Sequence, residues 1–253
     1  MIADVARLPR LLRLFAPLAW RRRATIARKL MGFSHTEQGS ALDMFRAAEL
    51  TDDPRLRRLF YRHGLDEARH AQHFAKVAKE VGGAEANAGH YGRMHAIRQD
   101  LYERLGLVRF VAFVWLSESR AKAQFEVLSE HFAAHDTDGL GDTLHHLFED
   151  IGRDEHFHAS YSKQLLDEWR QDGRGDEVDR AIRSVRMDEA WMAWRRAGRR
   201  IGDVMVRVML SALFLIVLPP FALIQRVVDR SKSTGWRAPH DAPLTIEDLR
   251  RPY

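Results

Sequence analysis

The chain has no cysteine. That absence excludes disulfides, thiolate-held zinc, cysteine-ligated iron–sulfur clusters and a cysteine nucleophile. Any metal bound by side chains therefore rests on His, Asp and Glu. Proline and glycine are also sparse, at 8 and 16 of 253 residues. Long stretches without either favour helices over a loop-rich β protein. Apolar residues are not lacking: 45% of the chain is hydrophobic and 30% charged, which excludes broad disorder. The length suits one domain with extensions, or two small domains, with enough material for a core.

The net charge of +5 hides a segregation. Residues 1–33 carry eight Lys/Arg against one acid, whereas residues 34–182 carry 19 basic and 27 acidic residues. Basic residues dominate again over 183–207. A basic chain suggests nucleic acid at first sight. Here the basic residues lie toward the two ends and alternate with apolar ones. Anionic lipid headgroups, not nucleic acid, are the expected partner.

Four segments follow from this pattern. Residues 1–33 place Leu, Phe and Trp among arginines, with Pro9 and Pro17 interrupting. This reads as a basic amphipathic segment at a membrane interface; the alternative is a terminal helix packed on the domain. Residues 34–182 read as helices over 35–50, 54–81, 94–134 (broken near Gly106) and 140–171. Thr51–Pro54, the Gly82–Gly92 region and Asp136–Asp142 are the turns, with Ser34 or Thr36 as a candidate N-cap. Residues 183–230 form a basic and apolar segment. Within it, 208–224 hold no charge, at the lower limit for a membrane span. Pro219-Pro220 should break that helix. Arg195, Arg196, Arg199, Arg200 and Arg207 precede it and favour a cytoplasmic placement of that side. Residues 231–253 form a polar tail.

One motif is doubled. Asp66-Glu67-Ala68-Arg69-His70 recurs as Asp154-Glu155-His156-Phe157-His158, both D-E-x-x-H. On a helix, residues i and i+3 share a face, so each Glu and His can address one cation together. Both motifs also lie on apolar stripes. One runs Leu56, Phe60, His63, Glu67, His70, Phe74, Val77, Val81; the other runs Leu144, Phe148, Ile151, Glu155, His158, Ser162, Leu165, Trp169. A carboxylate facing a core is costly unless paired or metal-bound.

A dinuclear site in a helical bundle needs one further Glu from each of two other helices. Facing residues of antiparallel neighbours lie equally far from their turn. Glu37 mirrors Glu67 across Thr51–Pro54, and Glu118 mirrors Glu155 across the start of Asp136–Asp142. Both are in phase with the inward stripes of their own helices. Glu49 lies about 120° from Glu37, and Glu126 about 80° from Glu118, at roughly 100° per residue. Glu126 stays the stronger competitor, since its midpoint with Glu155 also falls in the turn. Other histidines (His73, His131, His145, His146, His156) read as ordinary solvated or structural residues. Tyr61, Tyr161 and Trp115 lie near the site in sequence and read first as packing residues. Leu107–Leu116 is apolar nearly all round, which implies full burial or a wall shared with lipid.

The set Glu37, Glu67, His70, Glu118, Glu155 and His158 resembles the ferritin-like di-iron carboxylate superfamily, over about residues 34–170. That superfamily includes rubrerythrins, the ribonucleotide reductase small subunit and soluble acyl carrier protein desaturases. The resemblance implies a ferritin-like antiparallel four-helix bundle; with the basic and apolar ends read above, the expected fold is all-α, that bundle carrying N- and C-terminal membrane-associating helical extensions. It implies the six residues as both metal ligands and catalytic residues, holding two iron ions, with manganese acceptable in either position. It implies reaction with O2 or peroxide. Asp66 and Asp154 match positions that orient ligand histidines, although which serves which is not legible.

The leading expectation is a membrane-associated di-iron oxidoreductase. It would use O2 to hydroxylate, desaturate or otherwise oxidise a lipophilic substrate at the cytoplasmic face of the membrane. Without cysteine it carries no rubredoxin-type centre, so a separate electron donor is expected. The pattern leaves room for a homodimer. One alternative is rubrerythrin-like handling of peroxide or iron. Another is a non-enzymatic, membrane-tethered helical scaffold.

Overall fold

The computed structural model describes residues 7–82, 100–136 and 138–228, with the side chains of 7–9 and 227–228 left aside. The 231–253 tail and most of the Gly82–Gly92 turn lie outside them. Every regular element among the described residues is helical: α1 (Arg7–Ala19), α2 (Arg23–Leu50), α3 (Pro54–Gly82), α4 (Leu101–Leu105), α5 (Leu107–Ala134), α6 (Gly141–Trp169), α7 (Gly175–Ile216) and α8 (Leu218–Val228). A π-helical turn, Arg170–Arg174, joins α6 to α7. The chain forms two compact units, Met1–Met192 and Ala193–Tyr253.

In the first unit, α2 and α3 form one antiparallel hairpin, and α5 and α6 a second. The tight turn Thr51–Asp53 closes the first. Asp53 Oδ1 accepts the backbone N–H of Arg55 at 2.7 Å and of Leu56 at 3.3 Å, capping α3 just ahead of Pro54. Gly64 allows α2 and α3 to close up: a Cβ there would lie 2.7 Å from the Phe45 ring. Gly106, at φ 71°, separates α4 from α5.

The start of the first long helix differs from the sequence expectation. Ser34 and Thr36 do not cap a helix. The helix starts at Arg23, and Thr36 Oγ1 donates to the Gly32 carbonyl at 3.1 Å inside it. Ile26, Ala27, Leu30 and Met31 are buried, so these extra turns are held by packing. Residues 23–33 are therefore part of a core helix. The preceding α1 buries Ala16, and Trp20 follows it into an aromatic cluster, 5.8 Å from both Phe132 and Phe148. Leu11, Leu14, Phe15 and Leu18 of α1 stay exposed.

Two apolar clusters build the first unit. One holds Met44, Leu56, Phe60, Phe110, Val111, Val114 and Leu165, with Val178, Ile182 and Val185 of α7 packed in. That contact explains why 107–116 is apolar nearly all round: α5 is covered on more than one side. The other holds Trp20, Leu30, Phe74, Phe125, Leu128, Phe132, Phe148 and Ile151. In each of α2, α3, α5 and α6, the Glu and His residues of interest lie between the segment feeding one cluster and the segment feeding the other. A polar layer is thus closed off at both ends by apolar side chains.

Residues 183–192 belong to the first unit. Arg109 pairs with Asp188, and Arg120 with Glu189 at 2.5 Å. In the second unit, α7 ends at Ile216 and α8 starts at Leu218. Pro219 and Pro220 fall in the first turn of α8, where a missing N–H is tolerated. One helical stretch within Gly141–Arg226 is long and apolar enough to span or anchor in a membrane, and none of its 18-residue apolar window is buried.

Candidate metal centre

Glu67, His70, Glu155 and His158 are each at most 1% exposed; Glu37 and Glu118 are 8% and 7% exposed. Four helices bring all six together. Glu126 is not among them: it is exposed and reaches Lys122 at 3.6 Å. Glu49 is likewise exposed, on Arg46 at 3.1 Å.

The two aspartates are cross-paired. Asp154 Oδ2 lies 3.0 Å from His70 Nε2, and Asp66 Oδ2 lies 3.4 Å from His158 Nε2. Each motif therefore supplies the partner for the other motif's histidine. Arg69 ties the two together, 2.8 Å from Asp66 and 2.9 Å from Asp154. With Nε2 committed outward, both Nδ1 atoms turn inward. His70 Nδ1 lies 3.3 Å from Glu155 Oε1, and His158 Nδ1 lies 3.4 Å from Glu67 Oε1. These contacts are close but not aligned as hydrogen bonds: His70 Nδ1, His158 Nδ1, Glu67 Oε2 and both Glu155 oxygens are buried without a hydrogen-bond partner. Such groups are expensive to leave unmet, and they are donor atoms of the kind a cation takes.

The electrostatics point the same way. Burial, then the charge of Glu67, pushes the Glu37 carboxyl well above the usual range. Burial, then Glu155, does the same to Glu118. For Glu67, burial pushes up, but His158 and His63 outweigh it and hold the carboxyl well below its usual value. For Glu155, burial is outweighed by Glu118, His158 and His70, and the carboxyl falls to about 2. His158 rises to about 11, where Asp66, Glu155 and Glu67 overcome burial. His70 is raised against burial by Glu155 and Glu67. The layer thus combines two carboxyls shifted up, two shifted down and two imidazoles shifted up. A cation bound by carboxylates and imidazoles competes with protons for the same atoms, which is the usual linkage of metal binding to proton release.

In each of two groups the ligand atoms all lie within 4.8 Å of one another: His63, Glu67, Glu118 and His158; and Glu67, His70 and Glu155. His63 was missed as a site residue although it sits on the apolar stripe. Its signal is the i, i+4 spacing to Glu67. The doubled motif hides it, because Ile151 occupies the matching position before Glu155. His63 Nδ1 is 2.6 Å from the Tyr161 hydroxyl, and its Nε2 is 2.9 Å from Glu67 Oε1. Burial, then His158, pushes the His63 imidazole down. Tyr161 is thus hydrogen-bonded to the centre, whereas Tyr61 is exposed beside Phe45. His145, His146 and Glu149 form a third group at the partly exposed surface.

Fold and site together define a helical protein with buried His/Glu groups that can hold metal. Among known proteins, no family model, no curated sequence and no solved structure matches the chain.

Proposed function

We propose that the chain is a membrane-associated, ferritin-like di-iron oxidoreductase that uses O2 to hydroxylate, desaturate or otherwise oxidise a lipophilic substrate. The observation that carries this reading is the buried polar layer, whose inward nitrogen and oxygen atoms have no hydrogen-bond partners. The donor set of carboxylate and imidazole fits iron, and manganese as well. Glu37, Glu67, His70, Glu118, Glu155 and His158 would hold the two ions. When bound, the ions supply redox reaction with oxygen. The chain's own part is to orient and seal. Asp66 and Asp154 fix the two imidazoles by their outer nitrogens, Arg69 fixes the aspartates, and the two apolar clusters keep bulk water from the layer.

The lipophilic substrate is read from the rest of the chain. The apolar window before Arg226 is wholly unburied, and five arginines between 195 and 207 precede it. Apolar length supports anchoring or spanning, and the arginines support a cytoplasmic face. Electrons come from a separate donor.

The test begins with metal content per chain after gentle detergent extraction, followed by anaerobic Fe(II) loading and an oxygen pulse. The expected result is two irons per chain and stoichiometric oxygen uptake, both lost in Glu67→Ala and Glu155→Ala. No stoichiometric metal, with both variants folded as the parent, sinks the reading and leaves a tethered scaffold.

A further inference from the structure

The doubled D-E-x-x-H motif implies two equivalent halves, but the side chains that converge are not equivalent. Four residues before Glu67 stands His63; four before Glu155 stands Ile151, a core residue of the aromatic cluster. His63 is 1% exposed, so its imidazole was placed in the polar layer at the cost of desolvation. Its ring stacks on His158 with centroids 3.7 Å apart. Its Nε2 lies 2.9 Å from Glu67 Oε1 and 3.7 Å from Glu118 Oε1. The ligand atoms fall into two groups that share Glu67. One contains two imidazoles, His63 and His158; the other contains only His70.

We infer that His63 is a further metal ligand, a third imidazole at one of two unlike cation positions, with Tyr161 as its positioning residue. The inference rests on the metal-centre reading above. The hydroxyl of Tyr161, 2.6 Å from Nδ1, determines which ring nitrogen faces the layer. In the metal-free protein Nε2–H donates to Glu67 and the Tyr161 O–H donates to Nδ1. As a ligand, Nε2 presents its lone pair, Nδ1–H donates to the Tyr161 oxygen, and the ring keeps one proton throughout. Tyr161 thus plays for His63 the part that Asp66 and Asp154 play for His158 and His70.

The two positions then differ in chemistry. The position with His63 and His158 is richer in nitrogen and favours cations later in the Irving–Williams order. The position with His70 and Glu155 is richer in oxygen and accepts manganese or iron alike. Filling is therefore ordered, and the nitrogen-rich position fills first with cobalt.

The experiment is a Co(II) titration of the full-length, metal-stripped protein in detergent, followed by visible absorption and calorimetry, with circular dichroism to report folding. Wild type is expected to take two cobalt ions in two resolved steps. His63→Ala weakens the first step by at least about tenfold and leaves the second, and Tyr161→Phe weakens the first step alone by about tenfold. If His63→Ala does not fold, His63→Gln decides: it keeps an amide that can donate to Glu67 but removes the imidazole. A folded His63→Ala or His63→Gln with both steps and the cobalt spectrum unchanged overturns the role of His63 while the metal centre stands. Two identical steps in wild type overturn the inequality. A wild type that takes no cobalt overturns both the inference and the reading beneath it.

Discussion

The two units of this chain break opposite rules. Residues 1–192 bury charge: four carboxyl groups and three imidazoles sit in a layer between two apolar clusters. Residues 193–228 do the reverse and leave Val208, Leu213, Phe214, Leu215, Ile216 and Phe221 exposed. Buried charge is costly without a counter-charge, and a long exposed apolar face is costly in water. Among the described residues, no hydrogen-bond partner meets the inward-facing atoms of the layer, and none of the apolar window is buried. The first arrangement could hold a metal ion, and the second could span or anchor in a membrane.

Breaking the first side of this comparison has the largest expected effect. Glu67 belongs to both ligand groups, so Glu67→Ala should abolish all metal uptake. At free metal a hundredfold above Kd, each bound ion stabilises by about 2.7 kcal/mol. Thermal melts with and without Mn(II) should show that gain in wild type and none in the variant. On the second side, Leu213→Arg places a charge in the apolar window at about 2.5–3.5 kcal/mol for insertion. The protein should shift from the carbonate-resistant membrane fraction to the soluble one; an unchanged distribution would separate the apolar face from membrane attachment.

Smaller effects sharpen the contrast. Arg69→Ala removes the tie between Asp66 and Asp154, and metal affinity should fall by about tenfold while the fold persists. Unchanged affinity would show that the aspartates need no tie. Asp43, outside the centre, is a half-buried carboxyl: its Oδ1 has no hydrogen-bond partner, and burial outweighs a backbone hydrogen bond from Leu101 and raises it from 3.8 to about 6. The raised value makes the acid form favourable in the folded state. That contribution is complete below about pH 4 and is lost as pH rises through 6. Asp43→Asn should therefore gain on wild type above pH 6. The shift corresponds to about 3 kcal/mol, discounted to about 1 because the group is only half buried. Denaturant midpoints at pH 5 and 8 check the sign.

Much of this arrangement was legible because it is written in short-range spacing. Pro54 and the Thr51–Asp53 turn announce α3, and equal distances from that turn place Glu37 opposite Glu67. Phase separates Glu118 from Glu126. The rest was less legible. The start of α2 at Arg23 depends on Ile26 and Leu30 finding a core supplied by Phe74 and Phe148 from distant sequence. The apolar girth of 107–116 makes sense only once Val178 and Ile182 pack on it. His63 escaped because a repeat draws attention to what recurs, and His63 has no counterpart. The crossed pairing of Asp66 with His158 and Asp154 with His70 is a property of two hairpins meeting, not of either motif.

That crossing has a thermodynamic consequence. Neither hairpin owns a finished half of the centre, because each borrows from the other the carboxylate that aims its imidazole. Separating the hairpins therefore disarms both histidines at once. Any cation held between them acts as a rivet: it binds the docked form and not the parted one, so docking and loading are a single linked equilibrium. Metal binding would then add to the docking that the two apolar clusters shared by the hairpins already provide.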